Sequence, residues 1–424
     1  MTSLKPIVEM KDSGFQFIGM IPNDWDVRRG KTILSVINRP VNEDDGVVTC
    51  FRDGEVTLRV NRRVEGFTNS DKEIGYQGVE PGDLVVHGMD GFAGSIGISD
   101  SRGKMSPIII VLESSENKKY LMYYLRAMAF REVFLALSTG IRVRSCDLRW
   151  NKLAVFPFVI PNKKEQRAIA DYLDDHCSKL DEIITEAEKS IEEYKELKQA
   201  VIFEAVTKGL DKNVSMRDSG VEWLPRVPAS WDVRRIASIY EESKETGRDD
   251  LPILLVSIHT GISDREIDDE ERDRKVIRSE DKTVYKVVHK NYLAYNMMRA
   301  WQGGFGAAIV DGLVSPAYVV AKPKIEVNSS YVEHVLRTPN AIEHIRGLSY
   351  GVADFRLRLY WPYFKNIKIP LPPIEEQNKI VSYIQDQSNK MDALISEKQS
   401  LIEDLKAYKK SLIYEVVTGK RRVV

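Results

Sequence analysis

"MKDSGFQFIGMIPNDWDVRR", residues 10–29, returns as "MRDSGVEWLPRVPASWDVRR", residues 216–235, with ten of twenty positions identical at an offset of 206. Chance would leave about one match. Trp25 and Trp231 coincide, each followed by the run Asp-Val-Arg-Arg. The chain is therefore an internal duplication, and the first question is how far each copy extends.

A second repeated stretch marks the other end. Residues Glu165–Thr207 align without gaps onto Glu376–Thr418, with 17 identities in 43 positions at an offset of 211. Neither copy holds an interior Gly or Pro, and both are rich in strong helix formers. Pro161 and Pro372-Pro373 mark where the helices begin. Leu173, Leu180, Ala187, Tyr194 and Val201 recur at seven, with Cys177, Ile184 and Ile191 as the second seam position. In the later copy Ile384, Met391, Leu405 and Leu412 alternate with Ile395, Ile402 and Val416. Such heptads with charged flanks predict a coiled coil, a rod of roughly 65 Å for ~43 residues. Leu173, Leu180, Ile184, Ile191, Tyr194, Met391, Ile395, Ile402, Leu405 and Leu412 are assigned to this coil and to subunit docking.

Between the repeats lie blocks of unlike sequence but common skeleton. "GDLVVHGMDGFAGSIGISDSRGKMSP" (82–107) lies over "NYLAYNMMRAWQGGFGAAIVDGLVSP" (291–316), matching Gly97 to Gly306. "LSTG" (137–140) matches "LSYG" (348–351), and Trp150 falls under Trp361. Runs such as "LVVHG", "PIIIVLE", "LAYNM" and "AYVVA" read as strands, and 120–137 as a helix. The expected fold is mixed α+β. Two α/β domains, 1–160 and 211–371, are separated by an antiparallel pair of helices, 161–210 and 372–424, with pseudo-twofold repeat. Chain order places one block at each end of the rods if the rods pack together.

Composition narrows the function. With 424 residues, 43% apolar and 29% charged, the chain is that of a globular protein of two or three domains. No apolar run reaches the length of a membrane span, and the first residues lack a signal-peptide pattern. Cys50, Cys146 and Cys177 suit reduced thiols in a cytoplasm. The formal charge is −1, and removing residues 161–215 and 372–424 leaves 44 basic against 42 acidic residues. Phosphate grip by net charge alone is thus excluded, so basic residues must cluster or a partner must supply them.

Catalytic motifs are missing. "GISDSRGKM" (97–105) has phosphate-loop spacing one residue too long, and Met105 replaces the magnesium-holding hydroxyl. "GFAGSIG" and "GGFG" read as turns. "LPPIEEQ" lacks the Asn or Asp before its Pro-Pro and the aromatic after it that an amino-methyltransferase site carries. No histidine pair or Cys/His cluster has metal spacing, and His334 and His344 read as helix-surface residues. Binding candidates are clearer: Arg59, Arg62 and Arg63, and Arg142 and Arg144, in the first block. The second offers Arg299 and Gln302 around Trp301, then Arg356 and Arg358. Arg and Gln can pair bidentately with guanine and adenine edges.

Two "DSG…P..W…R" stretches, two variable α/β blocks and two "P…EQ..I..Y" helices occupy nearly the whole chain. This doubled order resembles the specificity (S) subunit of Type I DNA restriction-modification systems. The resemblance implies a chain that is not an enzyme, in which each block reads one half of a bipartite, asymmetric DNA site. It implies helices that set the gap and dock methyltransferase (M) subunits, two of them, with restriction (R) subunits joining later. S-adenosylmethionine, ATP and magnesium are then expected on the partners, no metal or cofactor on this chain, and a cytoplasmic, DNA-associated location. The competing reading is a coiled-coil adaptor for two proteins without nucleic acid, which near-neutral charge favours.

Overall fold

Alternation of period two in "LVVH" and "IIVLES" builds the first sheet and gives it two buried faces. In the computed structural model, which describes residues 9–62, 74–136, 148–248, 250–265, 282–351 and 357–423, these segments form an antiparallel four-stranded sheet. Its order is Leu34–Ile37, Ile109–Ser114, Leu84–His87, Ile96–Ile98. Val111 stands opposite Ile37 and Val85, and Leu84 opposite Ile98. Leu84, Val86, Ile110 and Leu112 face one core with the helix Lys118–Phe130. Val85, Ile109 and Val111 face a second core with the hairpin Val48–Cys50/Val56–Leu58.

The later block repeats the plan. Tyr240–Ser243, Tyr318–Pro323, Leu293–Asn296 and Phe305–Ala307 take the same sheet order. Leu293, Tyr295, Val319 and Ala321 face the main core, while Ala294, Tyr318 and Val320 face the other. The matched glycines are explained by close approach. A Cβ on Gly97 would lie 1.9 Å from the Gly54 carbonyl oxygen, and one on Gly306 would lie 2.4 Å from the Ile262 nitrogen. In both blocks a hairpin crosses the sheet at that point, which leaves no room for a side chain.

Contacts gather the chain into two units: Met1–Glu188 with Gln399–Val424, and Lys189–Lys398. The long helices, Lys163–Lys208 and Ile374–Val417, each give one half to each unit. Within the first unit Asp181 pairs with Lys409 at 2.6 Å and Glu188 with Lys406 at 3.1 Å, so the two segments run antiparallel. In the second unit Lys198 pairs with Asp392 at 2.7 Å, and Lys398 lies 5.9 Å from the Tyr194 ring centroid. One expected helix is shorter than its apolar stripe. Residues 118–130 are helical, Glu132 turns left-handed at φ 58°, and a short helix resumes at Val133–Ala136.

The twice-written stretch is the latch between block and helix. In each "DSG" the Asp side chain accepts from the Gly nitrogen, Asp12 from Gly14 at 2.9 Å and Asp218 from Gly220 at 2.8 Å, with both glycines left-handed. Trp25 donates its indole N–H to Glu165 at 3.0 Å, and Trp231 to Glu376 at 3.0 Å. Both tryptophans are fully packed. The following Gln repeats as well: Gln166 accepts from the Asn117 amide and Gln377 from the Asn328 amide, each at 2.9 Å. Gln166 donates to the Pro161 carbonyl and Gln377 to the Pro372 carbonyl, each at 2.8 Å. Tyr120 and Tyr331 close the set. Each hydroxyl reaches the strand before its own long helix (Val159, Pro370) and the C-terminal turn of the other long helix (Val417, Val206).

Candidate nucleic-acid interface

Each block exposes a glycine-framed loop on the edge of its sheet. In the first, Gly88–Gly94 holds a 3-10 turn at Gly91–Ala93 between two strands. The Leu148 amide donates to the Gly88 carbonyl at 2.8 Å, which carries Arg149 to the loop's side. Arg52, in the hairpin turn, pairs with Asp90 of the loop at 2.9 Å. His87 anchors the loop by accepting from the Asp90 amide at 3.0 Å, and burial holds its pKa down, favouring the neutral acceptor.

The equivalent loop in the second block is built on the same hydrogen bond, Leu359 to the Met297 carbonyl at 2.9 Å. Arg299 donates to Gln302 Oε1 at 2.6 Å, and Trp301 turns its N–H back to the Met298 carbonyl at 3.0 Å. The Arg346 guanidinium lies 5.7 Å from the Trp301 ring. Tyr350 and Arg358 exchange backbone hydrogen bonds of 3.0 and 2.9 Å. Tyr350, 64% exposed, stacks on Tyr363 with centroids 5.2 Å apart. Tyr360 and Met298 are exposed beside them.

The sequence candidates fare unevenly. Arg59 donates to Thr49 at 3.2 Å. Arg62 is held by Asp53 at 2.6 Å and Glu55 at 3.0 Å and lies over Phe51, so a phosphate would have to displace two carboxylates. Arg299 is bonded to Gln302, and Arg358 is exposed one residue before Leu359, whose amide meets the Met297 carbonyl. Arg63, Arg142, Arg144 and Arg356 lie outside the described residues. Arg52, Arg149, Tyr350 and Tyr363 were missed. Arg149 had one signal, its place just before the matched Trp150, and nothing in the sequence separated exposed tyrosines from core ones.

The seam residues have a different fate. Leu173, Ile184, Ile191, Met391, Ile402 and Leu412 are buried, and Leu180, Tyr194, Ile395 and Leu405 are half-buried. Leu173 and Leu412 belong to the first block's core cluster, and Leu180 packs against it. His334 also departs from expectation. It is half-buried on the helix Ser329–Leu336, and burial with Arg337 and Lys198 nearby pushes it down to about 4. Among the described residues no three His, Cys, Asp or Glu side chains converge to hold a metal, and no helix is long and apolar enough to cross a membrane.

A family model for the Type I restriction modification DNA specificity domain matches residues 348–404, which span the exposed tyrosines and the start of the second long helix. This stretch of the chain is similar to a Type I specificity domain. The "Putative type I restriction enzyme MjaX specificity subunit" of Methanocaldococcus jannaschii is 23% identical over 249 residues, 51% of this chain and 52% of that protein. The chain thus spans about half the length of the curated relative it matches. The fold resembles that of the HsdS subunit from Thermoanaerobacter tengcongensis, with TM-score 0.54 and 14% identity over 94% of this chain and 98% of that one. It also resembles a structure described as "Structural basis underlying complex assembly and conformational transition of the type I R-M system", with TM-score 0.66, 13% identity and coverage of 94% and 99%. The resemblance read from the doubled motifs, and the mixed α/β fold with its long helix pair, are borne out.

Proposed function

We propose that this chain is the sequence-reading subunit of a Type I restriction-modification complex. The segments 1–160 and 211–371 each read one half of a bipartite, asymmetric double-stranded DNA site. The helix pair sets the unread gap and docks two methyltransferase subunits, and restriction subunits join that assembly. The chain itself makes and breaks no covalent bond. S-adenosylmethionine, ATP and magnesium reside on the partners, and the complex works in a prokaryotic cytoplasm.

One observation carries this reading. Two blocks share a scaffold down to individual hydrogen bonds, yet present unlike side chains at the same loop. Arg149 and Lys152 stand where the second block has Tyr360 and Tyr363. Identical surfaces would call for a palindrome; unlike ones suit an asymmetric target.

Long-read methylation mapping of cells carrying this gene and its methyltransferase partner tests it. A two-part motif is expected, and exchanging residues 30–155 for another such block should change one half only. A change in both halves, or none, refutes modular reading. A gel shift with the methyltransferase present separates this reading from the protein adaptor, which would leave DNA unbound.

A further inference from the structure

One arginine stands at the same place in both blocks while its neighbours change. At offset 211 Arg126 matches Arg337, whereas Met122 is replaced by Glu333 and Tyr123 by His334. Arg126 belongs to the helix Lys118–Phe130, and Arg337 follows the helix Ser329–Leu336. The start of each helix is already fixed by the Asn117 and Asn328 latches.

Both guanidinium groups reach the turn of the hairpin that crosses the sheet. Arg126 Nη2 donates to the Asp53 carbonyl, in the turn of Val48–Cys50/Val56–Leu58. Arg337 Nη2 donates to the Ile258 carbonyl at 2.9 Å and the His259 carbonyl at 2.5 Å, in the turn of Val256–Ser257/Gly261–Ile262. Each turn then passes through a left-handed glycine, Gly54 at φ 93° and Gly261 at φ 76°. Arg337 has a carboxylate partner, Glu333 at 2.8 Å. Arg126 has none among the described residues, and it lies 5.5 Å from the Phe130 ring. Burial pulls the Arg126 pKa below the usual arginine value, so its cation is held at a cost. What the copies share is therefore the grip on the turn carbonyls and not a charge pair.

The gripped turns abut the glycine-framed loops. A Cβ on Gly94 would lie 2.8 Å from the Arg52 carbonyl oxygen and 3.3 Å from Phe130. One on Gly303 would lie 4.0 Å from Arg337 Cγ. The turns align as "FRDG" (51–54) and "IHTG" (258–261), so Arg52 and Asp53 stand where the second block has His259 and Thr260. All four are exposed. Asp90 holds Arg52 through Nη2 alone, which leaves guanidinium donors for a base edge. His259 offers ring nitrogens instead, so the two turns present different hydrogen-bonding groups on one frame.

On the DNA-reading function proposed above, we infer that the crossing hairpin turn is a second reading element in each block. Arg52 and His259 are its specificity-determining residues, and Arg126 and Arg337 are the positioning residues that hold it against the loop.

The test uses the full chain assembled with its methyltransferase subunit, titrated by fluorescence anisotropy onto probes altered in one half-site at a time. Arg52→Ala and Arg126→Met should each lower discrimination at the first half-site by about 10-fold, as for one lost base-edge pairing, and spare the second. Combining them should cost no more than Arg52→Ala alone, because Arg126 acts through the turn. His259→Ala and Arg337→Met should mirror this at the second half-site. Arg126→Lys should restore discrimination, since one carbonyl needs one donor, whereas Arg337→Lys should not, since two carbonyls and Glu333 need the planar fork. Additive losses from Arg52→Ala and Arg126→Met would overturn the positioning role. Equal losses at both half-sites, or on unrelated DNA, would overturn the reading role, marking global loosening or a phosphate contact. Arg52→Ala alters an exposed side chain, so even if Arg126→Met fails to fold, unchanged discrimination in Arg52→Ala overturns the inference. A wild-type complex that recognises no two-part site would overturn the functional reading itself.

Discussion

Replacing Gln377 by Leu should loosen the second unit and leave the first untouched. Gln377 is 2% exposed and joins the start of the long helix to the start of the helix Ser329–Leu336. Its carbonyl oxygen accepts from the Asn328 amide at 2.9 Å and its amide nitrogen donates to the Pro372 carbonyl at 2.8 Å. Leucine removes both bonds and strands a backbone N–H and a C=O, at roughly 1–3 kcal/mol each. Burial of the leucine returns about 1 kcal/mol, leaving a net loss of ~3 kcal/mol. At the size of this unit that lowers its melting temperature by roughly 6–12 °C. Scanning calorimetry should resolve the shift, and hydrogen exchange should locate it at Asn328 and the residues it caps. Gln377→Glu gives the sharper control. Its ionised carboxylate would face the Pro372 carbonyl, whereas the protonated acid can donate to it. The folded-state pKa is therefore raised, and the variant is most stable below the unfolded carboxylate value of about 4.3, losing stability as pH rises through its folded pKa. A loss under about 1 kcal/mol for Gln377→Leu, or equal losses in both units, would refute the latch.

Three further outcomes follow from the structure. His334, held down to about 4 by burial, takes up its proton more readily when unfolded, so acidification from pH 6.5 towards 4 should cost the second unit on the order of 1–2 kcal/mol. His334→Gln should remove that part of the pH dependence, and unfolding curves of both proteins at pH 7 and 5 will show whether it does. On DNA, Arg149→Ala should reduce the salt slope of binding by about one. Tyr350→Ala with Tyr363→Ala should leave the slope alone and weaken only the second half-site by roughly 10- to 100-fold, measured on probes altered in one half at a time.

The sequence carried the scaffold well and the surfaces poorly, for a physical reason. Trp25/Trp231, Glu165/Glu376 and Gln166/Gln377 repeat because each satisfies a buried partner that nothing else can reach, so the duplication preserved them as sets. Gly97 and Gly306 repeat because a crossing hairpin excludes any side chain. Arg62 is a DNA-binding candidate by sequence, but Asp53 and Glu55 are placed beside it by the turn of its own hairpin, and no periodicity encodes that. The apolar stripe through 120–137 promised one helix, because it could not register the left-handed turn at Glu132. Seam residues were legible as a coil, but from letters alone the residues that pack inward could not be told from those left for a partner.

Comparing the two copies position by position separates scaffold from reader more sharply than either copy alone. At offset 211, Asn117/Asn328, Tyr120/Tyr331 and Thr207/Thr418 keep residue and hydrogen bond together. At the same offset Arg149/Tyr360 and Lys152/Tyr363 keep the backbone turn that begins at the matched tryptophan while exchanging a cation for a phenol. Buried sheet positions change as well, Val85/Ala294 and Val86/Tyr295 among them, so what the copies keep is the hydrogen-bonded frame. The varied loop surface suits two different half-sites, whereas the helix ion pairs Asp181–Lys409 and Asp392–Lys198, counterparts at offset 211, suit a scaffold used twice in the same form. Grafting Arg149 and Lys152 onto Tyr360 and Tyr363 should accordingly change the second half-site while leaving methyltransferase stoichiometry at two. A changed stoichiometry with an unchanged half-site would reverse the assignment of the two surfaces.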